Sequence, residues 1–165
     1  FCMPPKSLPQ DLRSKRALEA IFRSLPEQGV KSVFPDEEAC QRRLMEVRWP
    51  TGPVCPHCAS RDLRPTSRWG LYHCTYCRKQ PSIRYGTVLE RSNTPLRTWF
   101  LATEIFVSAY FRGREADLLS RRALQRRLGI GKVAVMTLTA KLPCQIIDTS
   151  SLLARCVSTQ APKTS

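Results

Sequence analysis

Four cysteines, Cys55, Cys58, Cys74 and Cys77, stand in the pattern C-x2-C-x15-C-x2-C. A two-residue gap lets both thiolates of a pair reach one tetrahedral ion while the backbone between them turns back, and the longer gap has room for a short hairpin. The spacing predicts a zinc ribbon in which Zn2+ is held by these four side chains. Two other uses of the same residues compete with it: a pair of structural disulfides, or a single iron in an electron carrier. Disulfide frameworks belong mainly to short secreted chains, and this sequence shows no basic leader ahead of an apolar core and a small-residue cleavage site. A reducing, cytoplasmic compartment is therefore expected. The remaining thiols, Cys2, Cys40, Cys144 and Cys156, lack knuckle spacing and are expected to be free. His57 and His73 flank the knuckles but are expected to be bystanders, because four thiolates already complete a tetrahedron.

Charge supplies the second constraint. The chain carries 27 Lys and Arg against 13 Asp and Glu, a net charge of +14, which points to a polyanionic partner such as DNA. The surplus is concentrated: residues 50–92 hold seven basic against two acidic side chains, and residues 113–142 hold the same numbers. One such run alone reads as a solvated basic face. Two runs, each on a separate module, favour contact with phosphate. No apolar run approaches the ~20 residues needed to cross a bilayer, since Arg97 and Glu104 interrupt the best stretch, Leu96 to Phe111. No membrane span is predicted.

At 165 residues there is room for one ordinary domain or two small modules. The pattern predicts a small α+β protein: a zinc ribbon of short antiparallel β flanked by helices, then an all-α helix-turn-helix module. Residues 1–33 form a partly helical N-terminal extension, with prolines Pro4, Pro5 and Pro9 ahead of a helical stretch whose apolar positions are Leu18, Ile21, Phe22 and Leu25. Residues 34–92 supply a helix capped by Asp36, with Ala39, Cys40, Leu44 and Val47 on its inner stripe, and then the ribbon. Ile83, Tyr85 and Val88 are expected to complete a small sheet. So little apolar surface cannot hold a fold alone, and structural zinc adds roughly 10–16 kcal/mol in small peptides. Residues 93–142 form a helical module that opens with Thr94 as N-cap and Pro95 in the first turn. Its stripe of Leu96, Trp99, Phe100, Thr103, Phe106, Val107 and Tyr110 has core spacing. The run SRRALQRRLGIGKVAVMTLTAKL then reads as helix, glycine turn at Gly129, and second helix, with Val135, Leu138 and Leu142 packing back on Leu124 and Leu128. An ordinary helical hairpin is the alternative. Residues 143–165 are expected to be an irregular tail.

The stretch FPDEEACQRRLMEVRWPTGPVCPHCASRDL, continued by GLYHCTYCRKQPSIRYGTVLERSNTPLRTWF and then ALQRRLGI, resembles the N-terminal region of bacterial zinc-ribbon insertion-sequence transposases, the group numbered fifteen-ninety-five. The resemblance runs from about Phe34 to Ile130. It implies a ribbon and helix-turn-helix that bind transposon-end DNA, followed in the family by a domain of acidic residues that carries out strand transfer. Such chemistry needs several carboxylates to hold two divalent ions. After Asp117 the sequence has only Asp148. A DNA-binding region without the catalytic domain, truncated or frameshifted and not an enzyme by itself, is the expectation.

Three departures from the family pattern shape that expectation: Ala59 replaces the usual glycine after the first knuckle, Pro81 replaces an aromatic near the second, and the second helix of the pair is nearly uncharged. Its groove-facing residues are predicted to be Lys132, Val133, Met136, Thr137 and Ala140. None can make the bidentate base contacts that Arg, Asn or Gln provide. Phosphate contacts are assigned to Arg61, Arg64, Arg68, Arg78, Lys79 and Arg84 in the ribbon, and to Arg121, Arg122, Arg126, Arg127 and Lys132 in the helical module. Affinity with weak sequence specificity follows. The alternative is a ribbon that mediates protein contact, pairing with an intact transposase and modulating it.

Overall fold

The computed structural model describes residues 12–159, so Cys2 and the prolines Pro4, Pro5 and Pro9 lie outside it. Among the described residues the chain forms eight helices and a two-stranded antiparallel sheet, a small α+β architecture. It divides into two compact units. One runs from Arg42 to Asn93; the other combines the chain up to Gln41 with everything from Thr94 onward.

The helical unit is built around α4, Leu96–Phe111, whose Leu96, Trp99, Phe100, Thr103, Phe106 and Val107 are all buried, with Ala102 and Ala109 beside them. This is the expected stripe, and Tyr110 is half-buried at its edge. α4 packs against α1 (Leu12–Ser24), α2 (Val30–Val33), α5 (Glu115–Leu118), α6 (Arg121–Leu128), α7 (Lys132–Ile146) and α8 (Leu152–Val157). Phe22 stacks on Phe111 with ring centroids 4.1 Å apart, and Phe34 meets Phe100 edge-on at 5.1 Å. From Leu12 onward the described residues of this segment pack with the helices: α1 and α2 contact α4, with Leu18, Ile21 and Val30 buried.

Helix capping differs from expectation in one place. Asp36 does cap α3 (Glu37–Arg48), its Oδ1 accepting the Ala39 amide at 2.7 Å. At α4, however, the N-cap is Pro95 with no side-chain cap of its own. The Glu37 carboxylate instead accepts the amides of Leu96 and Arg97, at 2.8 and 2.9 Å. A full negative charge on free N–H groups at a helix start outperforms a neutral hydroxyl, because it satisfies two donors and complements the helix dipole.

Of the segment expected to be an irregular tail, the described residues 143–159 are largely helical. α7 continues through Pro143 to Ile146, and α8 buries Leu153, Ala154, Cys156 and Val157. Burial of Pro143 and Ile146 offsets the intrahelical bond that proline cannot donate. Ser151 caps α8 by accepting the Ala154 amide. Cys40 is free and buried, as expected, and Cys156 is buried too, whereas Cys144 is disulfide-bonded. Sequence spacing shows only local pairs and could not reveal that bond.

In the ribbon unit, β1 (Leu63–Pro65) pairs with β2 (Tyr72–Cys74) in the register Leu63 to Cys74, Arg64 to His73 and Pro65 to Tyr72. Trp69 and Gly70 lie in the connecting turn. Gly70 has φ +73, and a Cβ there would stand 2.9 Å from the Ile83 side chain, so only glycine fits both the backbone and the packing. Residues 81–83 join the hairpin through a bridge between Leu71 and Ser82 and a 2.7 Å bond from the Ile83 amide to the Gly70 carbonyl. Tyr85 and Val88 do not extend the sheet; the chain from Tyr85 to Ser92 runs in successive turns closed by short backbone bonds.

Candidate metal centre and nucleic-acid interface

Each knuckle has the same construction. The amide of the residue after the second cysteine returns to the first cysteine's carbonyl, Ala59 to Cys55 and Arg78 to Cys74, both at 2.9 Å. The first cysteine's own amide reaches the residue beyond, Cys55 to Ser60 at 2.8 Å and Cys74 to Lys79 at 2.9 Å. This doubled turn forces a left-handed backbone at Ala59 (φ 59) and Arg78 (φ 60). Left-handed backbone costs a residue with a Cβ about 1–2 kcal/mol. The ribbon carries this strain twice, once in each knuckle.

The two knuckles converge. All four Sγ atoms lie within 4.8 Å of one another, with Cys55 to Cys77 at 3.7 Å and Cys58 to Cys74 at 3.6 Å. These separations are far beyond the ~2.05 Å of a disulfide. They match the ~3.8 Å edge of a tetrahedron whose Zn–S bonds are about 2.3 Å. Cys55 and Cys74 are buried and Cys58 and Cys77 half-buried. Within the first knuckle the two thiols are pushed in opposite directions. Burial pushes Cys55 up, but the His57 and Cys58 amides and the neighbouring thiols outweigh it and bring it down to about 7. At Cys58 the Ser60 amide pulls down, yet burial and the other three thiols prevail and push it up to about 12. Closely packed thiols of this kind suit a dication that replaces their protons. The centre binds Zn2+.

Aromatic and cationic contacts also occur within the same unit. Trp49 meets Tyr72 edge-on at 5.1 Å, and Arg48 lies 5.5 Å over the Trp49 ring while donating to the Tyr85 carbonyl at 2.6 Å. His57 lies against Tyr85, ring centroids 4.7 Å apart. Among the described residues the four cysteines are the one group of three or more metal-ligating side chains close enough to share an ion, and neither histidine belongs to it.

A model of the transposase zinc-ribbon domain, of the IS1595 group, matches residues 35–80. This segment is similar to the transposase zinc ribbons. Over 104 residues the chain is also 31% identical to an uncharacterized protein in transposable element ISH50 of Halobacterium salinarum. That alignment takes in 58% of this chain and 34% of the relative, so the chain spans about a third of that protein's length. No solved structure matches significantly. The expected likeness to insertion-sequence transposases is borne out, and the part that the family model matches is the ribbon.

The basic residues singled out from the sequence fall in both units. In the transposase ribbon, Arg61, Arg64, Arg68, Arg78 and Lys79 are exposed, while Arg84 is half-buried. Arg61 spends one donor on the Thr51 carbonyl at 3.0 Å, and Arg84 spends one on the Ser92 carbonyl at 2.7 Å. In the helical unit, Arg121, Arg122, Arg126, Arg127 and Lys132 are all exposed. Sequence reasoning missed a cleft of about 480 Å³ in the ribbon, where Arg68 and Arg84 are joined by Trp69, Tyr85 and Arg91. Arg91 is exposed and held at φ +57. Its position after an acidic residue in a turn gave no periodic signal. No helix among the described residues is long and apolar enough to cross a membrane.

Proposed function

We propose that this protein binds DNA through a zinc-held ribbon and a helix-turn-helix, mainly by phosphate contacts and with weak sequence specificity. The observation that carries the reading is the four-sulfur tetrahedron in a transposase zinc ribbon, set in a unit whose exposed surface carries Arg61, Arg64, Arg68, Arg78 and Lys79. Zinc fixes the two knuckles, and the knuckles fix the hairpin that presents these cations.

The helical unit adds a second contact. α6 is capped by Ser120 and ends at Gly129, whose left-handed φ of 63 and ψ of 34 turn the chain within three residues into α7. Leu124, Val135, Leu138 and Leu142 are buried, which leaves the arginines of α6 and the first turn of α7 at the surface. This geometry suits entry of α7 into the major groove with α6 across the backbone. The partner is DNA, by resemblance a transposon end. The role we assign to this stretch of chain is binding: among the described residues the cysteines are the one group close enough to share an ion.

A salt titration tests the reading. With some six phosphates contacted, log affinity is expected to fall against log salt with a slope near −5, about −0.9 per phosphate. Weak binding that salt does not change would exclude it.

A further inference from the structure

We infer that α7 reads thymine, through apolar contact between its exposed face and the C5-methyl groups that line the major groove; this rests on the DNA-binding reading above. The face consists of Val133, Met136, Thr137 and Ala140, at the i, i+3, i+4, i+7 spacing that puts four side chains on one side of a helix. The opposite side is committed to the core through Val135, Leu138, Leu142, Pro143 and Ile146. Val133 is 77% exposed and Met136 49%, a large apolar display for adjacent positions on a surface helix.

The one polar side chain on this face is already engaged. Thr137 donates its hydroxyl hydrogen to the Val133 carbonyl at 3.0 Å, so what it offers a partner is chiefly its γ-methyl. Thr139, next to it, likewise lies within bonding distance of the Val135 and Met136 carbonyls, at 2.9 and 3.1 Å. The face therefore lacks the forks that read guanine or adenine. In the major groove thymine is the base that presents a methyl group, and apolar side chains are its natural contact.

Charge decides between DNA and an apolar protein partner. Lys132 opens α7, the neighbouring α6 carries the exposed Arg121, Arg122, Arg126 and Arg127, and no acidic residue occurs from Ser120 to Leu142. An apolar strip on a helix pair whose exposed charges are all cationic complements a groove whose floor carries methyls and whose edges carry phosphates. A preference for A·T-rich duplex results, without any bidentate contact.

The test compares a thymine-rich duplex with the same duplex made with deoxyuridine, which loses the methyl and keeps every hydrogen-bonding group. The full chain with zinc is titrated by fluorescence anisotropy. Affinity for the deoxyuridine duplex is expected to fall roughly fourfold for each methyl contacted, the scale of burying one such group, with the salt slope unchanged. Val133→Ser and Met136→Gln, both at exposed positions, are expected to abolish the difference between the duplexes while leaving the circular dichroism spectrum intact. Equal affinity for both duplexes overturns the inference and leaves DNA binding standing. Failure to bind either duplex removes both. Self-association that Met136→Gln abolishes, with DNA affinity untouched, assigns the face to a second copy of the chain and also overturns it.

Discussion

The carboxylate of Glu37 accepts the backbone amide of Leu96 at 2.8 Å across 59 residues of sequence. The bond ties the start of α3 to the start of the buried α4, and its second oxygen takes the Arg97 amide. Glu37→Ala leaves two donors without that acceptor and is expected to cost about 1–2 kcal/mol. Urea denaturation measures it, and an unchanged midpoint would show that Pro95 and solvent suffice.

Metal removal should act on one unit more than the other. The ribbon holds few large apolar side chains, so chelation or Cys58→Ser is expected to open residues 42–93 while the helices around Trp99 and Phe100 persist. Limited proteolysis with and without chelator checks this. Cleavage confined to that stretch is the expected pattern.

The left-handed backbone at Ala59 makes a stabilising substitution available. Ala59→Gly relieves about 1–2 kcal/mol of strain and returns part of it as unfolded-chain entropy, for a net gain of up to about 1 kcal/mol. The gain should appear as tighter retention of zinc against a competing chelator. A loss of retention would mean that the methyl of Ala59 packs usefully.

Cys40 is expected to be inert. Burial, with the Glu37 charge adding to it, pushes its thiol up to about 12, so below that pH it stays protonated and a poor nucleophile. Alkylation at pH 8 with zinc present should spare Cys40 until the protein is unfolded; mass spectrometry of tryptic fragments reads the outcome.

What the sequence made legible was local or periodic. The cysteine pairs announced their site because a knuckle is closed by neighbours, and the stripe from Leu96 to Val107 announced a core helix because burial repeats with the helical turn. Asp36 declared its cap within three residues. Contacts between distant segments left no such trace. Nothing near Leu96 points to Glu37, and Thr94 and Pro95 offered a more familiar local signal. Proline at 143 argued for an end to α7 that burial overrides. Leu153 and Val157 in α8 are too few to show a period, although both are buried. The cleft joining Trp69 to Arg91 comes from a turn folding back on the hairpin, a tertiary event that spacing does not encode.

Dependence of DNA binding on the metal is the most direct test. Anisotropy of a labelled duplex, titrated with the zinc-loaded protein and again after chelation, should show affinity that falls at least tenfold when zinc is removed and returns when it is restored. Equal affinity in the two states would contradict a binding surface built on the four cysteines.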